Sequence, residues 1–439
     1  MNRPTPPPFL AALATLVLTF VAALPACSTD DRPAEARRAA GSAATPSVSD
    51  QGANAGATAR HVFAWAGDLD RRDSDFLAVI DADPESPDYG RVVASVPAGA
   101  SGTHPHHTEH AMPESRHLFA NGFMAGRTFR FDLSDPRSPR LLGSFAAAGG
   151  FSYPHSYVRL ANGNPLATFQ GRGEDNLDPG GLVEITDAGE VVRAASAADP
   201  RAPDALIRPY SLAVLPGIDR VITTSYDMGE DMGFSGGRRG RTRVVQVWRL
   251  SDLSVIATID LPPGPRGGEG EQPGEPRLLA DGRTVLVATF ACGLYRMTGL
   301  EGSDPGARFV YGFDGGGCAV PLVVGDFWVQ PVPSAHAVVA LDVSDPSDPR
   351  EVSRVTLGSR NYPHWLALDP TGGRIVVADR GDGERRLFVL VFDRETGALA
   401  VDERFRDAGS DRPGVSFDRE GWPHGATGSA RPHGTVFGF

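Results

Sequence analysis

The sequence has little helical character: apolar residues at helical spacing are almost absent along its 439 residues. It also lacks excess positive charge, with a formal net charge of −12 and an isoelectric point near 5.4. This balance argues against binding to a phosphate backbone, so nucleic acid is not an expected partner. Neither a Walker loop nor a dinucleotide-binding fingerprint occurs, which leaves the common nucleotide-binding classes without support.

The first 26 residues are typical of a secretion signal. Arg3 precedes an apolar stretch at 9–23 that is too short and too rich in alanine for a membrane span. The stretch ends in Leu24-Pro25-Ala26-Cys27, which resembles a bacterial lipobox, although an ordinary signal peptide with a chance cysteine is the alternative. The prediction is an exported protein of the bacterial cell envelope, facing the periplasm or the exterior and held to the membrane only by lipid on Cys27.

Residues 27–60 form the next segment, and from 28 to 59 they include no aromatic side chain. Such a segment cannot bury enough apolar surface to fold, so a disordered tether is predicted there. The folded domain is then predicted to span residues 61–439.

Cysteine is scarce, since the chain contains three. With Cys27 assigned to lipid, Cys292 and Cys318 remain, and an even remainder in an oxidising compartment is typical of a disulfide. Two thiols available to a soft metal are the alternative. The absence of a Cys-x-x-Cys spacing favours the disulfide.

Short β-branched runs separated by Gly, Pro, Asn and Asp are abundant in the sequence. The runs at 244–248 and 374–378 are examples, and both predict strands. The runs recur in a unit that begins with a proline, here called the leading proline, and the leading prolines number seven: Pro105, Pro154, Pro209, Pro276, Pro321, Pro363 and Pro423. Their spacing is typical of propeller blades.

The predicted fold is therefore all-β, a seven-bladed β-propeller in which each unit is one four-stranded blade. After Pro423 only about one strand remains before the end of the sequence. The N-terminal strands between 61 and 96 are expected to complete that last blade and so to remove the last exposed sheet edge.

Histidines recur at one position of the repeat. His155, His364 and His424 directly follow a leading proline, and His106 does the same with His107 next to it. Equivalent positions in a ring of blades point to one mouth of the central channel, and clustered imidazoles on separate segments suit copper or zinc. The alternative is that each histidine bonds a carbonyl of the neighbouring blade.

These five histidines are the predicted metal ligands. Three others, His117, His336 and His433, do not follow the chosen leading prolines and are expected to be structural or surface groups.

Several stretches resemble the selenium-binding protein family, which includes methanethiol oxidases. The stretch 75–89, with its Asp-Pro-Glu-Ser-Pro turn, resembles the family's first two strands. The His106-His107 pair, His155 ahead of Leu160-Ala161-Asn162-Gly163, and His424 near the end match family histidines in order. The family's cysteine-bearing segment is here 111–115 and has no thiol, and Cys292 stands about where the family carries a histidine.

The resemblance implies a seven-bladed propeller and a copper-dependent oxidase, with zinc as the other metal to consider. Its substrate would be a small thiol such as methanethiol, converted with dioxygen to an aldehyde, sulfide and peroxide. A different function remains open at this point, that of a non-catalytic envelope lipoprotein whose loops bind a protein or a ligand.

Overall fold

The computed structural model describes residues 58–173, 176–205, 207–231, 242–379 and 383–439. The predicted signal peptide, Cys27 and nearly all of the predicted tether lie outside the described residues. None of the helices in the described part of the chain combines the length and the apolar character that crossing a bilayer requires.

The strands form seven antiparallel sheets, numbered here as blades 1 to 7 around the ring. The strands of blade 1 are β29 (Ala430–Gly438), β1 (His61–Asp68), β2 (Phe76–Asp81) and β3 (Val92–Pro97). Those of blade 2 are β4 (Pro105–Thr108), β5 (His117–Gly122), β6 (Arg127–Asp132) and β7 (Arg140–Phe145). Those of blade 3 are β8 (Phe151–Arg159), β9 (Pro165–Arg172), β10 (Asp178–Ile185) and β11 (Val191–Ser196).

The other four blades follow the same plan. The strands of blade 4 are β12 (Pro209–Leu215), β13 (Arg220–Ser225), β14 (Val244–Arg249) and β15 (Val255–Asp260). Those of blade 5 are β16 (Pro273–Leu278), β17 (Val285–Thr289), β18 (Gly293–Thr298) and β19 (Gly306–Gly312). Those of blade 6 are β20 (Leu322–Val324), β21 (Phe327–Val332), β22 (Ala337–Asp342) and β23 (Arg350–Thr356). Those of blade 7 are β24 (Pro363–Leu368), β25 (Arg374–Asp379), β26 (Arg386–Phe392) and β27 (Leu399–Val401), with β28 (Val415–Ser416) also on β26.

Helical structure in the described residues is limited to three short turns. They are α1 (Met228–Asp231) and the 3₁₀ turns Pro216–Ile218 and Pro333–Ala335. The predicted all-β, seven-bladed propeller is confirmed.

The seven innermost strands stand side by side around the ring. In order they are β29, β4, β8, β12, β16, β20 and β24, and β24 contacts β29 again. The C-terminal strand β29 pairs with β1, with Val62 opposite Phe437 and Ala64 opposite Thr435. This pairing closes the ring and confirms that N-terminal strands complete the last blade.

The seventh leading proline, however, is not the predicted one. The innermost strand of blade 1 begins at Ala430, so Pro432 takes that place and Pro423 does not. Pro423 lies in a tight turn, where the amide of Trp422 donates to the carbonyl of Ala426 at 2.9 Å. The turn contains Gly425 at a φ of 98°, a left-handed conformation that suits glycine and that interrupts a strand.

The core consists of apolar layers between neighbouring blades. Trp65 of blade 1 packs against Phe129 and Phe131 of blade 2, with ring centroids 5.4 and 5.5 Å apart. Between blades 7 and 1, Phe437 and Trp365 belong to one buried apolar cluster. Because each layer needs both of its blades, a single blade could not bury its faces alone.

Cys292 and Cys318 form a disulfide. Cys292 lies in the turn between β17 and β18, and Cys318 precedes β20, so the bond links blade 5 to the start of blade 6. Both residues are buried, with Cα atoms 5.0 Å apart. The two sulfurs are thus bonded to each other, and neither is a free thiolate for a metal.

We expect the closing strand to be sensitive to loss of apolar volume. Phe437→Ala removes a side chain that is 1% exposed and should lower the free energy of unfolding by roughly 3–5 kcal/mol. Phe439→Ala, two residues further along, is the matched control, because that ring is only partly buried beside Arg116. Thermal melts of both variants provide the measurement, and equal shifts would show that ring closure does not depend on this layer.

Candidate metal centre

Four adjacent blades carry a Pro-His pair in the innermost strand. The pairs are Pro363-His364 in β24, Pro432-His433 in β29, Pro105-His106 in β4 and Pro154-His155 in β8. Because these strands are neighbours around the channel, their histidines are brought to the same end of it.

The local cause of this convergence is a β-bulge shared by all four strands. Between Pro105 and Thr108 the strand β4 has one residue more than its partner, and the same excess occurs at Pro154–Tyr157, Pro363–Trp365 and Pro432–Thr435. Proline has no amide to donate to the ladder, so a bulge at this point costs little pairing. A bulge changes the direction of the side chain that it carries, and each of these bulges includes a histidine.

Five histidines form the resulting cluster, and their ring nitrogens fall into two groups. The first group is His106, His107 and His155, and the second is His106, His364 and His433. Within each group one ring nitrogen of every member lies within 4.8 Å of the others. The ring centroid of His106 is 4.2 Å from that of His433 and 4.9 Å from that of His155.

One of the histidines has its protonated nitrogen fixed by a carbonyl. His155 Nδ1 lies 2.7 Å from the carbonyl oxygen of Tyr210, which can only accept, so Nδ1 carries the proton and Nε2 the lone pair. Nδ1 of His106, Nε2 of His155 and Nδ1 of His433 are buried and have no hydrogen-bond partner among the described residues; we call them the open nitrogens.

Burial keeps these imidazoles neutral. It lowers the pKa of His106, His107 and His433 well below its usual value, and the neighbouring histidines lower it further. For His155 burial lowers the pKa to about 3, against the opposing effect of the hydrogen bond to Tyr210. Neutral imidazole is the form that binds a metal ion, so the cluster is in its ligating state at neutral pH.

Blades 4 and 5 contribute polar groups of another kind. Glu275 is 1% exposed and accepts hydrogen bonds from Ser211 Oγ at 2.6 Å and from Arg277 Nη1 at 2.8 Å. Its other oxygen lies 3.8 Å from His107 Nε2, which is also 3.3 Å from Tyr210 Oη. A buried carboxylate therefore stands beside the histidine cluster on this side of the channel.

An apolar wall adjoins the cluster. The ring of Phe123 lies 5.7 Å from that of His155, and it groups with Tyr210 and Met228, which are also buried. Phe123 and Tyr153 also line a small cleft, together with Gln170, Gly171, Asn176, Arg208, Asp227 and Gly229. His155, which carries one of the open nitrogens, thus adjoins an aromatic side chain that lines a cleft.

Of the predicted ligands, the structure brings together His106, His107, His155 and His364, and it does not include His424. His424 Nδ1 lies 2.6 Å from Ser95 Oγ, on the outermost strand of blade 1, and its ring packs on Phe76. The prediction that His424 shares the common position is wrong, because the strand begins after the turn that contains it.

The residue that sequence reasoning missed is His433. The signal for it was present in the sequence, because Pro432-His433 is a Pro-His pair nine positions after Pro423-His424. The choice between these two pairs depended on where the strand begins. The other two histidines set aside lie elsewhere: His336 Nδ1 is 2.8 Å from the carbonyl oxygen of Asn361, and His117 Nδ1 is 3.8 Å from Asp187.

Comparison with known proteins points to one family. A methanethiol oxidase from Hyphomicrobium is 25% identical over 204 residues, which are 44% of this chain and 46% of that protein. A selenium-binding protein from Arabidopsis thaliana is 28% identical over 138 residues, 28% of each chain. A crystal structure described as a hypothetical selenium-binding protein from Sulfolobus tokodaii superposes with a TM-score of 0.69 over 87% of this chain and 94% of that one, at 16% identity.

These matches confirm that the chain resembles the selenium-binding protein and methanethiol oxidase family. The matched segments span less than half the length of these curated relatives, and no protein-family model matches the chain. The fold itself is more widely shared, since a periplasmic gluconolactonase from Pseudomonas aeruginosa superposes with a TM-score of 0.54 at 16% identity. The family resemblance is thus supported, whereas the propeller alone does not define an activity.

The lowered pKa values predict how the stability of the metal-free protein depends on pH. Between the folded pKa and the unfolded value near 6.5, the unfolded chain binds more protons, so stability is complete above 6.5 and is lost as the pH falls. For His155 the loss should approach ~1.4 kcal/mol per pH unit down to a pH of about 3. His155→Asn, whose amide can still donate to Tyr210, should show a shallower decline between pH 6.5 and 5 in urea titrations.

His336→Asn is the control for this measurement, because that histidine lies outside the cluster and should leave the slope unchanged. An identical slope in the parent and in His155→Asn would mean that His155 titrates normally in the folded protein.

Proposed function

We propose that the chain is a metal-dependent oxidoreductase that oxidises a small thiol, such as methanethiol, with dioxygen. The observation that carries the proposal is the set of open nitrogens delivered by neighbouring blades to one buried place. The metal is proposed to be copper, because imidazole donors suit it and because it can change its oxidation state. Zinc suits the same donors but has no redox chemistry, so it would fit only a non-catalytic role for the cluster. The residues that would hold the metal are His106, His107, His155, His364 and His433.

A bound cation accounts for the open nitrogens better than a purely structural role does. A buried polar atom without a partner costs about 1–3 kcal/mol, and most such atoms in folded proteins are paired. Three of them in one cluster would be destabilising with no structural benefit. Metal bound at the cluster would give these nitrogens partners.

The surrounding groups also fit a ligating role. A metal-bound histidine usually directs its second nitrogen to a carbonyl or a carboxylate. His155 does so with the carbonyl of Tyr210. His107 has partners at both ring nitrogens, the Ser156 hydroxyl at Nδ1 and the Tyr210 hydroxyl at Nε2, so ligation by His107 would replace one of these two bonds. Glu275 also supplies negative charge close to a bound cation in a medium of low dielectric.

The proposed reaction balances as one primary thiol with one dioxygen and one water, giving one aldehyde, one hydrogen sulfide and one hydrogen peroxide. The carbon bonded to sulfur loses two electrons, dioxygen gains two, and water supplies the carbonyl oxygen while the C–S bond breaks. When bound, copper would supply the one-electron redox steps and a soft ligand for the thiolate.

The chain's own residues would bind and orient the substrate and exclude water. Phe123, next to His155, and Tyr153 line the cleft, so a small apolar group would approach along aromatic rings. Methanethiol, the substrate in the name of a relative at 25% identity, is small enough for this narrow approach. The buried cluster would keep bulk water from the reacting sulfur.

The test of the proposal is a balance of reactants and products. Purified protein is loaded with Cu²⁺, freed of excess metal and mixed with methanethiol in air-saturated buffer, and oxygen uptake, formaldehyde, sulfide and peroxide are measured. We expect equal amounts of the four. If the copper-loaded protein consumes no oxygen with methanethiol or with longer alkanethiols, the oxidase function is wrong and a non-catalytic binding role takes its place.

Single histidine variants connect the activity to the cluster. His155→Ala and His433→Ala should each lower the amount of bound metal, and each should lower the rate of oxygen uptake by at least tenfold, since each removes an open nitrogen. His424→Ala is the matched control, because it also follows a proline but bonds Ser95, and it should behave like the parent. Elemental analysis with circular dichroism separates loss of metal from loss of fold, and equal metal content in all three variants would contradict the assignment.

The location of the protein is a further part of the proposal. Export and lipid attachment rest on the sequence around Cys27, and an oxidising compartment agrees with the disulfide between Cys292 and Cys318. Cys27→Ser should leave the protein either unprocessed or soluble, as seen by membrane fractionation and intact mass. A processed Cys27→Ser protein that still sediments with membranes would contradict lipid attachment at that residue.

A further inference from the structure

We propose that the histidine cluster is a two-ion centre, in which His106 is shared between one ion bound with His107 and His155 and another bound with His364 and His433. This inference rests on the proposed metal-dependent function and concerns the number of ions and the residues that hold each one.

The first argument is the division of the donors. His107 and His155 lie on the blade 2 and blade 3 side of His106, and His364 and His433 lie on the blade 7 and blade 1 side. A metal–nitrogen bond is about 2.0–2.1 Å, so two donors of one ion are at most about 4.2 Å apart. The limit of 4.8 Å within each group is close to that span, whereas among the described residues no group of ring nitrogens within this limit combines His107 or His155 with His364 or His433.

The second argument is that each group has its own open nitrogen. The carbonyl of Tyr210 leaves Nε2 of His155 open, and Nδ1 of His433 is buried without a hydrogen-bond partner among the described residues. These two nitrogens belong to opposite groups. A single ion would use one of them and leave the other buried without a partner, whereas two ions would use both.

The third argument concerns the shared residue. An imidazole ring has two nitrogens on different sides, and both can bind metal once the ring N–H proton has been released. His106 stacks on His107 at an interplanar angle of 9° and lies 4.2 Å from His433, so it is placed between the groups. Binding of the second ion would therefore release the His106 proton to solvent.

The two positions are not equivalent in charge. Glu275 lies 3.8 Å from His107 and thus beside the first group. A buried carboxylate stabilises a nearby cation, so the first group is expected to fill before the second.

The experiment titrates the full, metal-free protein with Cu²⁺, removes unbound ions by gel filtration and counts copper per chain by elemental analysis. We expect two ions in the parent, one in His155→Ala, one in His364→Ala and fewer than one in His106→Ala. His336→Ala is the control for surface binding and should hold two. Circular dichroism of every variant shows that the fold is retained.

Electron paramagnetic resonance gives a second readout that surface copper would not reproduce. Two Cu²⁺ ions that share His106 should couple, so the signal of the parent should integrate to less than its copper content. His364→Ala, with one ion, should integrate to the full amount. A parent that integrates fully with two ions bound would place the second ion outside the cluster and overturn the inference.

The remaining outcomes separate this inference from the proposed function. One ion per chain in the parent, lost completely in both His155→Ala and His364→Ala, would mean a single centre; the two-ion inference fails and the metal-dependent function stands. No copper retained by the parent would overturn the metal-dependent function itself.

Discussion

The pairing of the C-terminal strand β29 with β1 is the interaction on which both the ring and the cluster depend. Without it, blade 1 would lack its innermost strand, and β24 and β4 would have no common neighbour. The same strand carries His433 into the cluster and stands between His364 and His106. Trp365 Nε1 donates to the carbonyl of Thr435 at 2.9 Å, which ties blade 7 to this strand next to the histidines.

Close contact between β29 and β4 imposes a requirement on one glycine. A Cβ at Gly434 would lie 2.6 Å from the carbonyl oxygen of His106 and 2.6 Å from the amide nitrogen of Thr108. No larger residue fits there without moving one of the two strands. Gly434 follows His433 directly, so the backbone that presents this histidine is the backbone that approaches His106 most closely. Ring closure and site assembly are therefore set by the same few residues.

The fold could be predicted from the sequence because its signals are local and repeated. Runs such as 244–248 and 374–378 predict strands, and six of the seven leading prolines mark a blade. The placement of His106, His155 and His364 follows from the same repeat, since a position in the repeat becomes a position in the ring.

The choice between His424 and His433 could not be made in this way. Both follow a proline, and they differ only in whether the residue lies in the strand that pairs with β1, at the opposite end of the folded domain's sequence. The protonated nitrogen of His155 was also beyond prediction, because its partner is the backbone carbonyl of Tyr210 on the neighbouring blade. Local patterns predict elements, whereas contacts between distant segments decide which nitrogens remain open.

The cluster occupies one side of the channel, so the two sides contribute different chemical groups to the site. Histidines come from blades 7, 1, 2 and 3, whereas blades 4 and 5 supply Tyr210, Glu275 and Arg277 from their innermost strands. A ring of seven histidines would fill the mouth with donors and leave no face of a bound ion for substrate. The blade 4 side instead carries aromatic groups, Tyr210 among them, which place apolar surface beside His155.

The protein tolerates so many buried imidazoles because its stability comes from other parts of the structure. The layers between blades, such as that of Trp65 with Phe129, hold the propeller independently of the channel, so the cluster needs to contribute nothing to folding. An ion that binds only the folded chain adds stability that grows with its concentration relative to its dissociation constant. The open nitrogens are thus a small destabilising feature of the metal-free protein and the source of its affinity for metal, because the same missing hydrogen bonds account for both.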